Sequence, residues 1–273
     1  MVCSGDKTKL LIIGTAQRRK TLLTDRNIKI QIEVCGKKVT ESNSEKLLGL
    51  TVNNQQTWRD YLYGEQWREK DNEPGLIQQL SQRVGLLRRV VHLMPEAKFN
   101  TICQGIFYSK LLYCLQIVGN VWGVGTTDEE TRRFTAFTKE DNRKLQVLQN
   151  MVLRMKTKMP RGTETTTLLS RSGDLSVQQL TALSSLTTLQ KMIHSGKPEY
   201  ITRKLSMNMN PATRQENMIK LRSNLTITRG AYVYRASSIY NNLPPEMRAN
   251  MDPKLFKSQA RTWVKQNIPP KPT

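Results

Sequence analysis

Apolar and polar positions alternate near the start of the chain and then change to a three- and four-residue spacing. Ile28, Ile30, Ile32 and Val34 are separated by Lys29, Gln31 and Glu33, a period of two that predicts a half-buried strand. Before it, Lys9-Leu10-Leu11-Ile12-Ile13-Gly14 is a short apolar run closed by glycine and predicts another strand. Cys35-Gly36-Lys37-Lys38 supplies a turn before Val39. Leu47-Leu48-Gly49-Leu50-Thr51-Val52 predicts a further strand, with Gly49 marking a bulge or a close backbone approach.

Beyond a charged stretch from Gly64 to Gly75 the period becomes helical. Leu76, Ile77, Leu80, Val84, Leu87 and Val91 form one apolar stripe. A second helix is predicted from about Glu96 to Tyr113, carrying Phe99, Ile102, Cys103, Ile106 and Phe107. Gly119 to Glu130 reads as a loop. A third helix places Leu145, Leu148, Val152 and Met155 on one face, with Glu140 and Asp141 near its positive end, and stops at Pro160-Arg161-Gly162. Ser176 is an N-cap candidate for a fourth helix holding Val177, Leu180, Leu183 and Ile193, stopped by Gly196-Lys197-Pro198. Short strands are predicted at Leu225–Ile227 and Tyr232–Tyr234. A last helix starts at Asp252 and Pro253, buries Phe256, Ala260, Trp263 and Val264, and leaves a frayed tail from Ile268. The fold class is therefore α+β and mostly α. Small antiparallel hairpins at the N-terminus (1–62) are followed by a linker (63–75), a helical region (76–158), a helical connection (159–200) and a basic mixed C-terminal region (201–273).

Charge changes the picture. The chain of 273 residues carries 43 Lys+Arg against 22 Asp+Glu, a formal net charge of +21. Residues 201–273 alone hold 13 Lys+Arg against 3 Asp+Glu. Such an excess points to a polyanionic partner, nucleic acid (RNA or DNA) or an anionic membrane surface. The longest charge-free run, Leu111 to Thr127, is too polar for a membrane-spanning helix, and no secretory leader is recognisable. Four widely spaced cysteines read as free thiols, so an intracellular protein, nuclear or cytoplasmic, is expected.

Catalytic chemistry is not written in the chain. The two histidines, His92 and His194, lack a Cys/His cluster at ligand spacing, so no metal and no cofactor is expected. Gly119-Asn120-Val121-Trp122-Gly123-Val124-Gly125 does not satisfy a dinucleotide fingerprint. Asp128, Glu129 and Glu130 read as a solvated helix start. Arg222, Arg229, Tyr232, Tyr234, Arg235 and Tyr240 interleave guanidinium forks with flat rings, the mixture that phosphates and unpaired bases need. The same residues read equally as tyrosines packed inward and arginines pointing outward.

Four blocks, in order, resemble one family. Asp6-Lys7-Thr8-Lys9-Leu10-Leu11-Ile12-Ile13-Gly14 is similar to an "N-x-x-K-T-K" strand, and Glu45-Lys46-Leu47-Leu48-Gly49-Leu50 through Thr57-Trp58 to a "K-x-L-G-V…W" segment. Leu145-Gln146-Val147-Leu148-Gln149-Asn150 with Arg154 is similar to "L-x-x-L-Q-N-x-x-x-R". Tyr234-Arg235-Ala236 through Tyr240-Asn241-Asn242-Leu243-Pro244, then Phe256-Lys257, is similar to a "Y-R-A…W-N-x-L-P…F-K" ending. Together they resemble the carboxy-terminal third of LINE-type (non-LTR) retrotransposon reverse transcriptases, jockey-like in lineage. Ser4 stands where the family commonly has Asn, and Tyr240 where it has Trp.

The resemblance implies roles. Lys7 and Lys9 would lie on the palm strand after the catalytic hairpin, near nucleotide phosphates. Gly49 would fall in the primer-grip hairpin. Helices from about Leu76 to Val118, with Arg88 and Arg89, would form a thumb tracking the template–primer duplex. The family's YxDD pair, its upstream metal-binding aspartate and its fingers have no counterpart here, and a two-metal polymerase needs those carboxylates to hold Mg²⁺. Mg²⁺ would belong to the full-length parent enzyme only. The expectation is a non-catalytic remnant, beginning at an internal methionine, that retains nucleic-acid binding through Lys7, Lys9, Gly49, Arg88, Arg89, Arg222, Arg229, Tyr232, Tyr234 and Arg235. The alternatives are an enzyme completed by a separately encoded palm, or a decayed or recruited basic protein with no role in copying.

Overall fold

The computed structural model describes residues 7–14, 16–21, 31–64, 74–124, 136–203, 205, 207, 218–220, 231–250 and 252–271. Ile28, Ile30, the Asp128–Glu130 acids and the expected strand at Leu225–Ile227 lie outside them. The chain divides into two compact units, Met1–Leu76 and Ile77–Thr273. It is mostly helical, with two small hairpins at the N-terminus, as the pattern predicts. The segments 77–158, 159–200 and 201–273 fall within one unit.

In the first unit, α1 (Ala16–Lys20) precedes β1 (Gln31–Val34), β2 (Lys37–Thr40), β3 (Ser44–Leu47) and β4 (Leu50–Asn53). Each hairpin is antiparallel and closed by two residues, with Val34 opposite Lys37 and Leu47 opposite Leu50. Cys35 and Gly36 have φ of 51° and 75°, Leu48 and Gly49 of 49° and 82°, so both loops turn with positive φ at both central residues. That backbone matches the right-handed strand twist. Gly49 is therefore a turn residue, and the single strand expected over Leu47–Val52 is two strand ends meeting at it. Lys9–Gly14 is not a regular strand. Only Leu10 bridges Glu41, while Ser42 N donates to Leu10 O at 2.8 Å and Gly14 N to Asn54 O at 3.0 Å. The Asn53 side chain accepts from Thr57 N at 2.8 Å and donates to Asp60 at 3.1 Å, fixing the entry to α2 (Arg59–Tyr63).

The two ends of the charged stretch meet. Gly64 bridges Pro74, and a Cβ on Gly75 would lie 2.3 Å from Gly64 N. The two ends of the segment expected as a linker therefore touch.

The second unit continues α3 (Leu76–Val90), whose buried Leu80, Val84 and Leu87 are the predicted stripe. The next helix is interrupted: α4 (Glu96–Cys103) passes through a π-helical turn (Gln104–Tyr108) into α5 (Ser109–Leu112). The wider turn lets the adjacent Phe107 and Tyr108 both face inward, their rings edge to face at 5.4 Å. Arg83 donates to the Ile106 carbonyl inside that turn. After α6 (Leu115–Val118), residues Asn120, Val121 and Trp122 are buried although no regular structure holds them.

Next come α7 (Lys139–Thr157), α8 (Thr165–Ser172), α9 (Val177–Ser195), α10 (Glu199–Thr202), α11 (Tyr232–Asn241), α12 (Pro245–Ala249) and α13 (Pro253–Asn267). Thr138 with Asp141, and Ser176 with Gln179, form reciprocal capping boxes on α7 and α9. α9 is the hub, packed by α6, α7, α11 and α13. It has no charged residue from Val177 to Gln190, as a helix buried on several sides requires. Gly119 lets α6 approach it, since a Cβ there would meet Thr181 at 2.8 Å. One cluster joins Leu183, Leu186, Leu189, Tyr240, Phe256 and Val264 across α9, α11 and α13.

Two expectations are corrected. Tyr232–Tyr234 is the first turn of α11, because Tyr232, Ala236, Ile239, Tyr240 and Leu243 repeat at helical spacing against α9. The tail is docked as far as Pro269: Ile268 is buried and Gln179 Nε2 donates to its carbonyl at 2.9 Å, while Gln178 Nε2 reaches the Pro269 carbonyl at 3.3 Å.

Burial in this unit also sets an alkaline limit. It pushes the Cys103 thiol from 9.0 up to about 11, eased by Lys156 and reinforced by Asp174. It pushes the Tyr240 phenol up to about 12, eased by Arg248. A raised acid keeps its proton in the folded state, so its stabilisation is full below the ordinary value and is lost as pH climbs through the folded one. The melting temperature is expected to fall as pH rises from about 9 to about 11, and Cys103→Ala should shrink that fall. Equal falls in both proteins would remove Cys103 from the account.

Candidate nucleic-acid interface

The residues of the two C-terminal motifs are largely built into the scaffold. On α7, Gln146 Oε1 accepts from Val177 N at 2.9 Å and its Nε2 donates to Asn150 Oδ1 at 2.9 Å. Asn150 donates to Thr165 Oγ1 at 2.9 Å, and Gln149 to Leu175 O at 2.8 Å. Arg154 Nη2 donates to Thr163 O at 3.3 Å. This run of buried amides ties α7 to α8 and to the start of α9. Buried polar groups need such partners, so the motif is explained by packing.

The C-terminal motif behaves alike. Arg235 donates to the carbonyls of Ile117 and Gly119, closing the end of α6. The Tyr232 hydroxyl donates to Ser185 O at 3.2 Å, and burial raises its phenol well above the ordinary range. Tyr240 is fully buried and donates to Arg248 O at 3.1 Å. Asn241 clamps Ile219 through both its amide and carbonyl at 2.8 Å. Of the expected arginine–tyrosine surface, Tyr232, Arg235 and Tyr240 are thus structural. Tyr234 is half-buried, and Arg222 and Arg229 lie outside the described residues.

The other candidates divide between the units. Lys7 and Lys9 are exposed beside Leu10, and Gly49 sits at the β3–β4 turn, all in the first unit. Arg88 and Arg89 are exposed in the last turn of α3 in the second.

Two cationic features were not anticipated. The first is a face of α13: Lys254, Lys257, Arg261 and Lys265 are exposed at steps of three, four and four, and Pro253–Asn267 contains no acidic residue. Four residues of helix advance about 6 Å, so the charges form a row along the axis. Arg261 also donates to Gly173 O at 2.9 Å. The readable signal was the K-x-x-K-x-x-x-R-x-x-x-K spacing.

The second is concave. Cavities of about 610 Å³ and 570 Å³ share Arg88, Arg154, Met155 and Met159, where α3 and α7 end. Lys158 and Arg161 add positive charge and Glu96 is the acid at the rim. Lys156 also lines the larger cavity, but it is paired with Asp174, whose carboxylate accepts from Tyr108 OH at 3.2 Å. Nothing in the local sequence joins Arg88 to Arg154. Only the packing of α4 on α7 and the chain reversal after α3 do so.

Among the described residues no group of His, Cys, Asp and Glu is placed to hold a metal ion, and no helix is long and apolar enough to cross a membrane. No protein-family model, curated protein or solved structure matches the chain.

Proposed function

We propose that this chain is a non-catalytic relative of a LINE-type reverse transcriptase that binds RNA and DNA through their phosphates, with little sequence preference. The observation that carries the binding is the α13 face, where four exposed cations stand in a row on a helix without a single carboxylate. An ordinary solvated helix intersperses both signs, because Glu–Lys pairs at i,i+4 stabilise it. The polymerase ancestry rests on the four ordered motif blocks. The packing of the two C-terminal blocks is compatible with that ancestry, since motifs that tie helices together persist without catalysis.

The test is a salt titration of binding to a duplex. With roughly five to eight phosphates neutralised, the log–log slope is expected on the order of −4 to −7. Changing Lys254, Lys257 and Lys265 together to Ala should flatten the slope by about two to three units and weaken all sequences alike. Arg261 is left in place because it bonds Gly173. An unchanged slope would mean that α13 is only a solvated surface. The same protein should extend no primer on an RNA template with Mg²⁺ or Mn²⁺, and templated extension would overturn the non-catalytic reading.

A further inference from the structure

We infer that the paired cavities at the ends of α3 and α7 form a site for unpaired nucleotides. The inference rests on the nucleic-acid reading above and specialises it. The cavity volumes, about 610 Å³ and 570 Å³, lie in the range of small-ligand sites. Their walls combine two chemistries. The rim holds Arg88, Arg154, Lys158 and Arg161, and among the described residues Glu96 is the one acid lining it. The floor holds Met94, Met151, Met155 and Met159, four of the chain's eleven methionines, with Phe99 beside them.

Helix-end electrostatics do not account for the rim. Cations near a helix C-terminus are favoured by a partial charge of about −0.5, so two ends offset about one of the four. Arg154 keeps a buried Nε without a partner among the described residues, a donor already desolvated and held by the Thr163 bond of the same guanidinium.

The floor selects the ligand. A duplex hides its base faces in the stack and presents only sugar and phosphate, so it would meet the rim and leave the methionines bare. An unpaired strand offers flat rings as well. Thioether sulfur makes favourable contacts with aromatic rings and its flexible side chain fits any base. Stacking-type contacts of this kind tolerate every sequence. The site would thus take one or two nucleotides of a single strand, with phosphates on Arg88, Arg154 and Arg161.

The experiment measures the full chain against a single strand of about 12 nucleotides and a blunt duplex of equal length by fluorescence anisotropy. Met151→Ala with Met155→Ala leaves the charge unchanged. It should weaken the single strand about tenfold and leave the duplex within about twofold. Thermal melting of the double variant checks the fold. Arg88→Ala with Arg161→Ala changes exposed positions and should flatten the single-strand salt slope by about 1.4. A 4-thiouridine strand should crosslink to peptides within 88–99 or 151–161 on the unmodified protein. Methionine variants that weaken both ligands equally, or neither, would overturn the site, as would crosslinks confined elsewhere. Tight binding to phosphatidylserine vesicles that competes with the single strand would reassign the cavities to lipid headgroups. Failure of the unmodified protein to bind any nucleic acid would instead remove the reading on which the site rests.

Discussion

Asp174→Ala is expected to destabilise the helical unit by about 3–5 kcal/mol, because it strands a buried cation. The Lys156 side chain is only 9% exposed and pairs with the Asp174 carboxylate. Its ammonium lies 5.9 Å from the Tyr108 ring centre, and Tyr108 donates to the same carboxylate at 3.2 Å. Removing the carboxylate leaves two buried groups without their acceptor. Removing the cation as well should restore most of the loss, since an apolar pair of similar volume is often no worse than a buried ion pair. Chemical denaturation of Asp174→Ala, Lys156→Met and the double variant closes that cycle. A double variant as unstable as Asp174→Ala would show that the carboxylate acts mainly through Tyr108.

Tyr240→Ala is expected to cost a further large amount, about 3–5 kcal/mol, by emptying a site with no solvent contact. Its ring fills the cluster shared by α9, α11 and α13. Tyr240→Phe should cost only about 1 kcal/mol, the net worth of the bond to Arg248 O. Urea unfolding followed by circular dichroism separates the two. If the alanine variant lost no more than the phenylalanine one, the C-terminal helices would not share the core of α9.

These stability variants bear on binding only indirectly, which is why the charge variants on α13 and at the cavity rim use exposed residues. Arg88, Arg161, Lys254, Lys257 and Lys265 carry their charge into solvent, whereas Arg235 carries its own into the carbonyls of Ile117 and Gly119. Composition treats the two kinds alike. An arginine is counted as positive whether it faces a phosphate or closes a helix.

The sequence alone determined the elements wherever the signal was local. The strand at Ile32 and Val34, the stripe on α3, the caps at Ser176 and Asp252 and the stops at Gly196 and Pro160 all depend on neighbours within a few residues and recur in the fold, although Ile32 is exposed and the expected burial does not alternate along that strand. It also determined the net charge. The tertiary structure alone decided which polar residues were free to act. Tyr232-Val233-Tyr234 has strand-like composition, yet α9 offered a helical partner surface and the segment took the helix. Gln146, Gln149 and Asn150 look like surface amides until α8 and α9 close over them. The cavity rim joins Arg88 to Arg154 and Arg161 across more than sixty residues. Its physical basis is long-range: helix caps and periodicity are set by bonds of three or four residues' reach, while a concave site is set by how whole helices pack, and no window of sequence contains that packing.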